Sequence, residues 1–176
     1  LYSETIKQTE KAGEIVMHLS DLFRFILEEC DKPVITLEKE LKVINDYISL
    51  EQLRHGKRLK VNFDMPENTQ GITLSPLLFL PFIENSFKHS LATVRGTVTI
   101  DIRITVDNDR IRLDVENDNA ERLAPTVSTG KGIANIKRQL ALLYNKEHEL
   151  TVHEGSDKYR VALVIPSKPG YGYVEN

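Results

Sequence analysis

Four polar side chains close an otherwise apolar run in this sequence. The stretch "LSPLLFLPFIENSFKH", residues 74–89, carries Glu84, Asn85, Lys88 and His89 in its last two turns. Glu84 and Lys88 are four apart, as are Asn85 and His89, so on a helix the two pairs occupy adjacent strips of one surface. Taken alone, they suit a solvated polar face with one ion pair about as well as they suit a site. Asn85 argues for the site, because asparagine is a poor helix former that gains nothing on a solvent face. Set against an apolar pocket, its carbonyl oxygen can be offered to a metal ion that also holds phosphates.

A second group lies in "TGKGIANIKRQL", residues 129–140. Gly130 and Gly132 directly precede a helical pattern, leaving backbone N–H groups free to approach an anion at the positive end of that helix. A lone G-x-G also suits a flexible helix entry. Ser128, Thr129 and Lys131 beside the glycines favour a phosphate cradle, and Asn135, on the first turn, faces the same region.

The elements that must position these groups follow from two periodicities that meet near residue 58. Before it, Ile15, Leu19, Leu22, Phe23 and Ile26 form one helical stripe; "DKPV" breaks it at Pro33; and Leu37, Leu41, Ile44 and Ile48 form a second stripe that ends near Gly56. Thr36 is the expected N-cap of the second helix, with Glu38 and Glu40 in its first turn. Such a hairpin cannot bury its seam alone: it packs on the domain that follows or on a second copy. After residue 58 the period is two, over Leu59–Met65, Val98–Val106, Ile111–Val115, Leu150–Val152 and Tyr159–Ile165, with a hairpin at "DNDR". Strands with one apolar face predict an α+β two-layer sandwich, a mostly antiparallel sheet backed by helices and preceded by the helical hairpin. The covering helices are expected from Ser75 as N-cap and Pro76 at the first helical position, with a bend at Pro81, and from the residue after "STGKG", with Ile133, Ile136, Leu140 and Leu143 on one face. Between them lies "NDNAERLAPTVSTGK", a polar loop longer than packing requires.

Composition narrows the function. With 176 residues, 40% hydrophobic and 28% charged, the chain matches one ordinary globular domain plus a helical extension. A net charge of −3 with interspersed basic residues gives no general reason to bind nucleic acid. The single cysteine, Cys30, excludes an internal disulfide or a multi-cysteine zinc cluster and fits a reducing compartment. The opening "LYSETIKQ" has neither an initiator Met nor a signal peptide, so a fragment of a longer protein is expected.

In order and spacing, "PLLFLPFIENSFKH", then "VENDN" closing a strand, then a loop, then "GKGIANIKRQLALLY" resemble the N, G1 and G2 boxes of the GHKL or Bergerat ATP-binding fold. More specifically the chain resembles the LytS/LytTR-associated sensor histidine kinases, which work with LytTR-type response regulators; "LSDLFRFIL" and "ITLEKELKVINDYISLEQLRHGKRL" are similar to that family's dimerisation region. The resemblance spans nearly all of residues 1–166. It implies a truncated dimerisation and phosphoacceptor region over 1–58, an ATP-binding catalytic domain over 59–167 and a flexible tail over 168–176. It implies ATP and Mg2+ as ligands, with Asn85 holding the magnesium, Lys88 and His89 approaching the phosphates, and Gly130 and Gly132 as the G2 glycines of a lid; Thr129, Lys131 and Asn135 are expected to bind the nucleotide with them. Glu84 matches the glutamate that activates water in the superfamily's ATPases, whereas in the kinases the nucleophile is a histidine imidazole, and reach to a proton is not visible in sequence. A homodimer, a location on the cytoplasmic side of the bacterial inner membrane and membrane attachment only through a missing N-terminal region are further implications.

Two departures stand out. Where the superfamily places an Asp that reads the adenine amino group, this chain has Asn117, followed by Asp118 and Asn119 instead of a glycine-bearing "DNG". An Asn carbonyl still accepts from the amine, without the charge that strengthens the bond, so weaker nucleotide affinity is expected. Asp118, shifted by one residue, is the alternative reader. None of the five histidines lies in an "HFLFN"-type segment, where the family carries its phosphoacceptor; His18 reads as a surface or seam residue. The expectation is therefore a kinase fragment that binds ATP and lacks its own acceptor. The alternatives are a degenerate nucleotide-binding module, motivated by Asn117, or an ATPase using Glu84 as base.

Overall fold

A computed structural model describes residues 2–107, 109–118, 131–145, 147–155 and 157–168. Helix α1, Tyr2–Glu29, is followed by the short strand β1, Ile35–Thr36, and helix α2, Leu37–His55. The Thr36 hydroxyl accepts from the Lys39 amide at 3.4 Å, as its N-cap position predicts. α2 stops where Gly56 takes φ 56°, a left-handed value that strains any side chain. A single 3-10 turn, Gly56–Arg58, leads into β2, Leu59–Asp64. Then follow β3, Thr73–Leu74; α3, Leu80–Thr93; β4, Val98–Asp107; β5, Arg110–Asp118; α4, Lys131–Tyr144; β6, Glu149–Glu154; and β7, Lys158–Pro166.

The main sheet has the order β2-β4-β5-β7-β6, parallel only between β2 and β4. This is the mostly antiparallel sheet that the alternation predicts, with one parallel pair that the alternation does not distinguish. One face is buried: Ile100, Ile102 and Ile104 on β4, Leu113 and Val115 on β5, and Val161 and Leu163 on β7. The other face carries ion pairs such as Arg103–Asp64 at 3.0 Å and Lys158–Glu116 at 3.2 Å, half-exposed and worth little individually. A two-stranded ribbon of β1 and β3, too short to leave a periodic signal, stands apart from this sheet.

α2 settles where its stripe goes. Leu37, Leu41, Ile44 and Ile48 join the same core cluster as Phe79, Phe82, Ile83 and the sheet. α1 packs along α2, yet its own stripe stays largely open, with Leu19, Phe23 and Ile26 exposed beside Val16, Met17 and Leu27. No helix among the described residues is long and apolar enough to cross a membrane.

The helix expected from Ser75 starts instead at Leu80. Residues 76–79 form a turn in which Leu77 has φ 54°, and Ser75 makes no cap. The physical reason is Glu40, fully buried on α2. Its carboxylate accepts from the amides of Leu77 and Phe79, each at 2.9 Å, and so caps this turn from another element. Pro81 then sits in the first helical turn, where its missing N–H costs nothing, and not in the helix interior where a bend was expected. Residues 169–176, the rest of the expected tail, lie outside the described residues.

The other end of α3 is held by Arg58. Its guanidinium donates to the carbonyls of Leu91 at 3.0 Å, Val94 at 2.9 Å and Gly96 at 3.2 Å. A cation at the C-terminus, opposite the Glu40 carboxyl at the N-terminus, complements the helix dipole. Arg58→Ala is expected to lower the unfolding free energy by about 1–2 kcal/mol, since the side chain is exposed and water replaces part of what is lost. An unchanged urea midpoint would show that these contacts carry nothing.

Candidate functional site

α3 presents three strips. Phe82, Ile83, Ser86, Phe87 and Ser90 are buried against the sheet. Asn85 and His89 are half-buried along the flank, and Glu84 and Lys88 are exposed. The i,i+4 spacing thus sets Asn85 and His89 on one edge of the helix, with the charged pair beside them on the solvent side. Ser86 spends its hydroxyl on the Ile83 carbonyl at 2.7 Å, which removes a donor from the apolar face.

His89 reaches the sheet. Its ring lies against Tyr159 on β7, with centroids 6.1 Å apart and planes 29° apart. Tyr159 is register partner to Asn117 on β5, so His89, Tyr159 and Asn117 form one cluster at the end of β5. Burial, and then Glu154, push the Tyr159 phenol above its usual range.

Asn117 and Asp118 face different ways, as strand alternation requires. Asp118 is committed: its carboxylate accepts from the Thr99 amide at 2.7 Å and pairs with Lys158 at 3.1 Å. The Lys158 ammonium is held above its usual range, first by Asp118 and then, against the cost of burial, by Glu116. Asn117 is only 1% exposed. Its Nδ2 donates to Ser90 Oγ at 2.6 Å and to the Asp118 carbonyl at 3.1 Å, while its Oδ1 has no hydrogen-bond partner among the described residues. A buried amide oxygen left open costs on the order of 1–3 kcal/mol, so such a group is usually an acceptor awaiting a ligand or a water.

The stretch expected to form a lid lies mostly outside the described residues, Thr129 and Gly130 included. Lys131 and Gly132 form the first positions of α4, so the helix starts two residues earlier than the glycine spacing suggested. Asn135 is exposed, whereas Ile136, Leu140 and Tyr144 bury the other face of α4 in the common core. Among the described residues no group of three or more His, Cys, Asp or Glu could hold a metal.

A cleft of about 640 Å³ lies elsewhere, lined among others by Asp64, Met65, Thr105 and Asp109 at the opposite end of β4 and β5 from Asn117. Its size reflects the gap between the β2–β3 connection and the hairpin, and it brings none of the site residues together. Sequence reasoning missed Ser90, Tyr159, Glu40 and Arg58. Ser86 and Ser90 could have been noticed as polar residues at i,i+4 on an apolar face, but their partners lie on other elements.

Comparison with known proteins now bears on the site. Residues 1–59 match the histidine kinase family model. Over 172 residues the chain is 26% identical to the sensor protein LytS of Staphylococcus epidermidis, covering 91% of this chain and 29% of that protein. Over 162 residues it is 27% identical to the sensor histidine kinase BtsS of Escherichia coli K12, covering 91% of this chain and 28% of that protein. The chain therefore spans less than a third of these curated relatives. Among solved structures, the catalytic domain of histidine kinase ThkA superposes with a TM-score of 0.52 at 13% identity, covering 77% of this chain and 95% of that one. The histidine kinase domain of the blue-light-activated kinase EL346 of Erythrobacter litoralis gives 0.55 at 18% identity, over 89% of this chain and 74% of that one. These structural likenesses establish the fold of a histidine kinase catalytic domain.

Proposed function

We propose that this chain, a LytS-type sensor histidine kinase by sequence and a histidine kinase catalytic domain by fold, binds ATP with Mg2+ and transfers the γ-phosphoryl group to a histidine imidazole. From there the group passes to an Asp of a LytTR-type response regulator. One observation carries the nucleotide reading: the Oδ1 of buried Asn117, an acceptor suited to the adenine amino group, has no hydrogen-bond partner among the described residues. Asn85 offers its amide oxygen to magnesium, and Lys88 and His89, on the same helix edge, neutralise phosphate charge. Phosphoryl transfer needs little more from the protein than positioning and charge neutralisation, because the transition state is loose. In this reading residues 1–58 belong to dimerisation and phosphoacceptor presentation, residues 59–167 bind ATP, and Thr129, Gly130, Lys131, Gly132 and Asn135 form the lid. The domain works on the cytoplasmic side of the membrane.

Calorimetric titration of the 176-residue chain with a non-hydrolysable ATP analogue, with and without Mg2+, tests this. Binding strengthened by Mg2+ is expected. No heat at millimolar nucleotide sinks the reading.

The open stripe of α1 is read as the dimer seam of the intact kinase. Phe23 is 57% and Leu27 79% exposed, which is unusual for two such side chains four apart on one helix face. The double substitution Phe23→Glu with Leu27→Glu is expected to weaken self-association at least about tenfold in sedimentation experiments, since each apolar side chain buried is worth roughly 1.5–3 kcal/mol. A dimer of undiminished affinity would exclude this face.

A further inference from the structure

Both ends of α3 are held by one stretch of chain. At its start, the Glu40 carboxylate on α2 accepts from the amides of Leu77 and Phe79, each at 2.9 Å. At its end, Arg58, in the 3-10 turn that continues α2, donates to the carbonyls of Leu91 and Val94. Between them the Tyr47 ring on α2 meets Phe87 on α3 edge to face, with centroids 5.5 Å apart and planes 78° apart. The paired positions are 37 and 39 residues apart at the start and 33 and 36 at the end. So nearly constant a separation means that the stretch from Glu40 to Arg58 runs parallel to α3. The sheet holds α3 differently. Phe82, Ile83 and Phe87 bury apolar surface in the common core. Such burial is non-directional, so it sets the distance from the sheet and leaves the position along the helix axis weakly specified. Hydrogen bonds are directional and fix that position. Ser90 makes one to the Asp118 carbonyl at 2.5 Å, in the C-terminal half of α3. The N-terminal half, where Asn85 lies, has no side-chain cap of its own, and its axial position comes from Glu40.

We propose that Glu40 and Arg58 are positioning residues of the nucleotide site, which splint α3 to α2 so that Asn85, Lys88 and His89 stand where a magnesium-bound triphosphate meets them. A slip of α3 along its axis would carry these three side chains together and leave Asn117, on β5, in place. The splint therefore governs the metal and phosphate half of the site and not the half on the sheet. This rests on the nucleotide reading given above and adds to it two residues outside the site that fix its geometry.

The test is the factor by which Mg2+ strengthens binding of a non-hydrolysable ATP analogue, measured by calorimetry on the 176-residue chain at about pH 8, above the value near 7 to which burial raises the Glu40 carboxyl. Glu40→Gln leaves one acceptor for two amides and sets an NH2 against the other. It should lower the Mg2+ factor about tenfold, within the loss that a misplacement of about 1 Å causes in such sites. Arg58→Ala should lower it in the same direction by less, since α3 keeps its Ser90 bond near that end. Ile165→Val, a destabilising change at the far end of β7 from Tyr159, should leave the factor unchanged. Should Glu40→Gln fail to fold, Arg58→Ala decides. Purely structural caps would weaken binding equally with and without Mg2+. An unchanged factor in either folded variant therefore overturns the proposal while leaving the nucleotide site standing, and so does an equal shift in Ile165→Val. If the unmodified chain binds no nucleotide, or binds it with no effect of Mg2+, the reading of the site falls, and the proposal with it.

Discussion

Glu40→Ala is expected to cost on the order of 3 kcal/mol of folding stability at pH 5, because it strips the acceptor from one buried and one part-buried amide, each worth roughly 1–3 kcal/mol when left unpaired. The amides are those of Leu77 and Phe79, which enter α3 through a turn that nothing else caps. The effect should depend on pH. Burial pushes the Glu40 carboxyl from its ordinary 4.5 up to about 7, against the opposing pull of the amides of Phe79, Leu77, Leu80 and Leu78. The unfolded chain thus releases this proton near 4.5 and the folded chain near 7, so between those values the folded state binds more protons. Stability from this group is full below about 4.5, falls as pH rises and levels off above about 7, at roughly 1.4 kcal/mol per unit or about 3 kcal/mol in all. Glu40→Gln cannot titrate and should lack this slope. Urea denaturation of both proteins from pH 4.5 to 8 measures the difference, and a flat difference would mean that the carboxyl does not titrate in this window.

Asn85→Ala is expected to abolish the strengthening of ATP-analogue binding by Mg2+, a loss of at least about 100-fold, or about 2.7 kcal/mol, if its amide oxygen is the protein's main ligand to the ion. Stability should hold or rise slightly. Asn85 is half-buried on the flank of α3, away from the face that packs on the sheet, and alanine is the better helix former. Calorimetry with and without Mg2+, with a urea titration as control, separates the two quantities. If the variant keeps the full Mg2+ effect, Asn85 does not hold the ion.

These two residues show how differently site and support are written in a sequence. The proposal for Asn85 starts from features legible in sequence: a polar residue that weakens a helix, placed at a spacing that puts it on an edge with His89, where both are half-buried. Glu40 was legible only as one of two acidic residues in a first helical turn, favourable there for the dipole. Its actual partners are 37 and 39 residues away in sequence. Charge near a helix N-terminus is a local property, whereas capping the start of a different helix depends on how the two elements pack. The same limit explains α3. Ser75 and Pro76 have the local chemistry of a helix start, but Glu40 captures the amides of the following turn and the helix begins at Leu80.

Periodicity by itself determined the helical hairpin, the strands, a mostly antiparallel sheet with one apolar face, and the residues along α3 that could do chemistry. These rest on repeats of 3.6 and 2 residues, which any neighbour-blind reading of the chain can find. The stripes of α1 and α2 look alike in sequence, and only packing decided that Leu41 and Ile44 join the core while Phe23 and Leu27 stay open. Likewise Asn117 and Asp118 were equal candidates in sequence. The tertiary structure separated them by giving the Asp118 carboxylate to Thr99 and Lys158 and leaving the Asn117 oxygen without a partner among the described residues, because hydrogen-bond satisfaction is a property of neighbours in space and not of order along the chain.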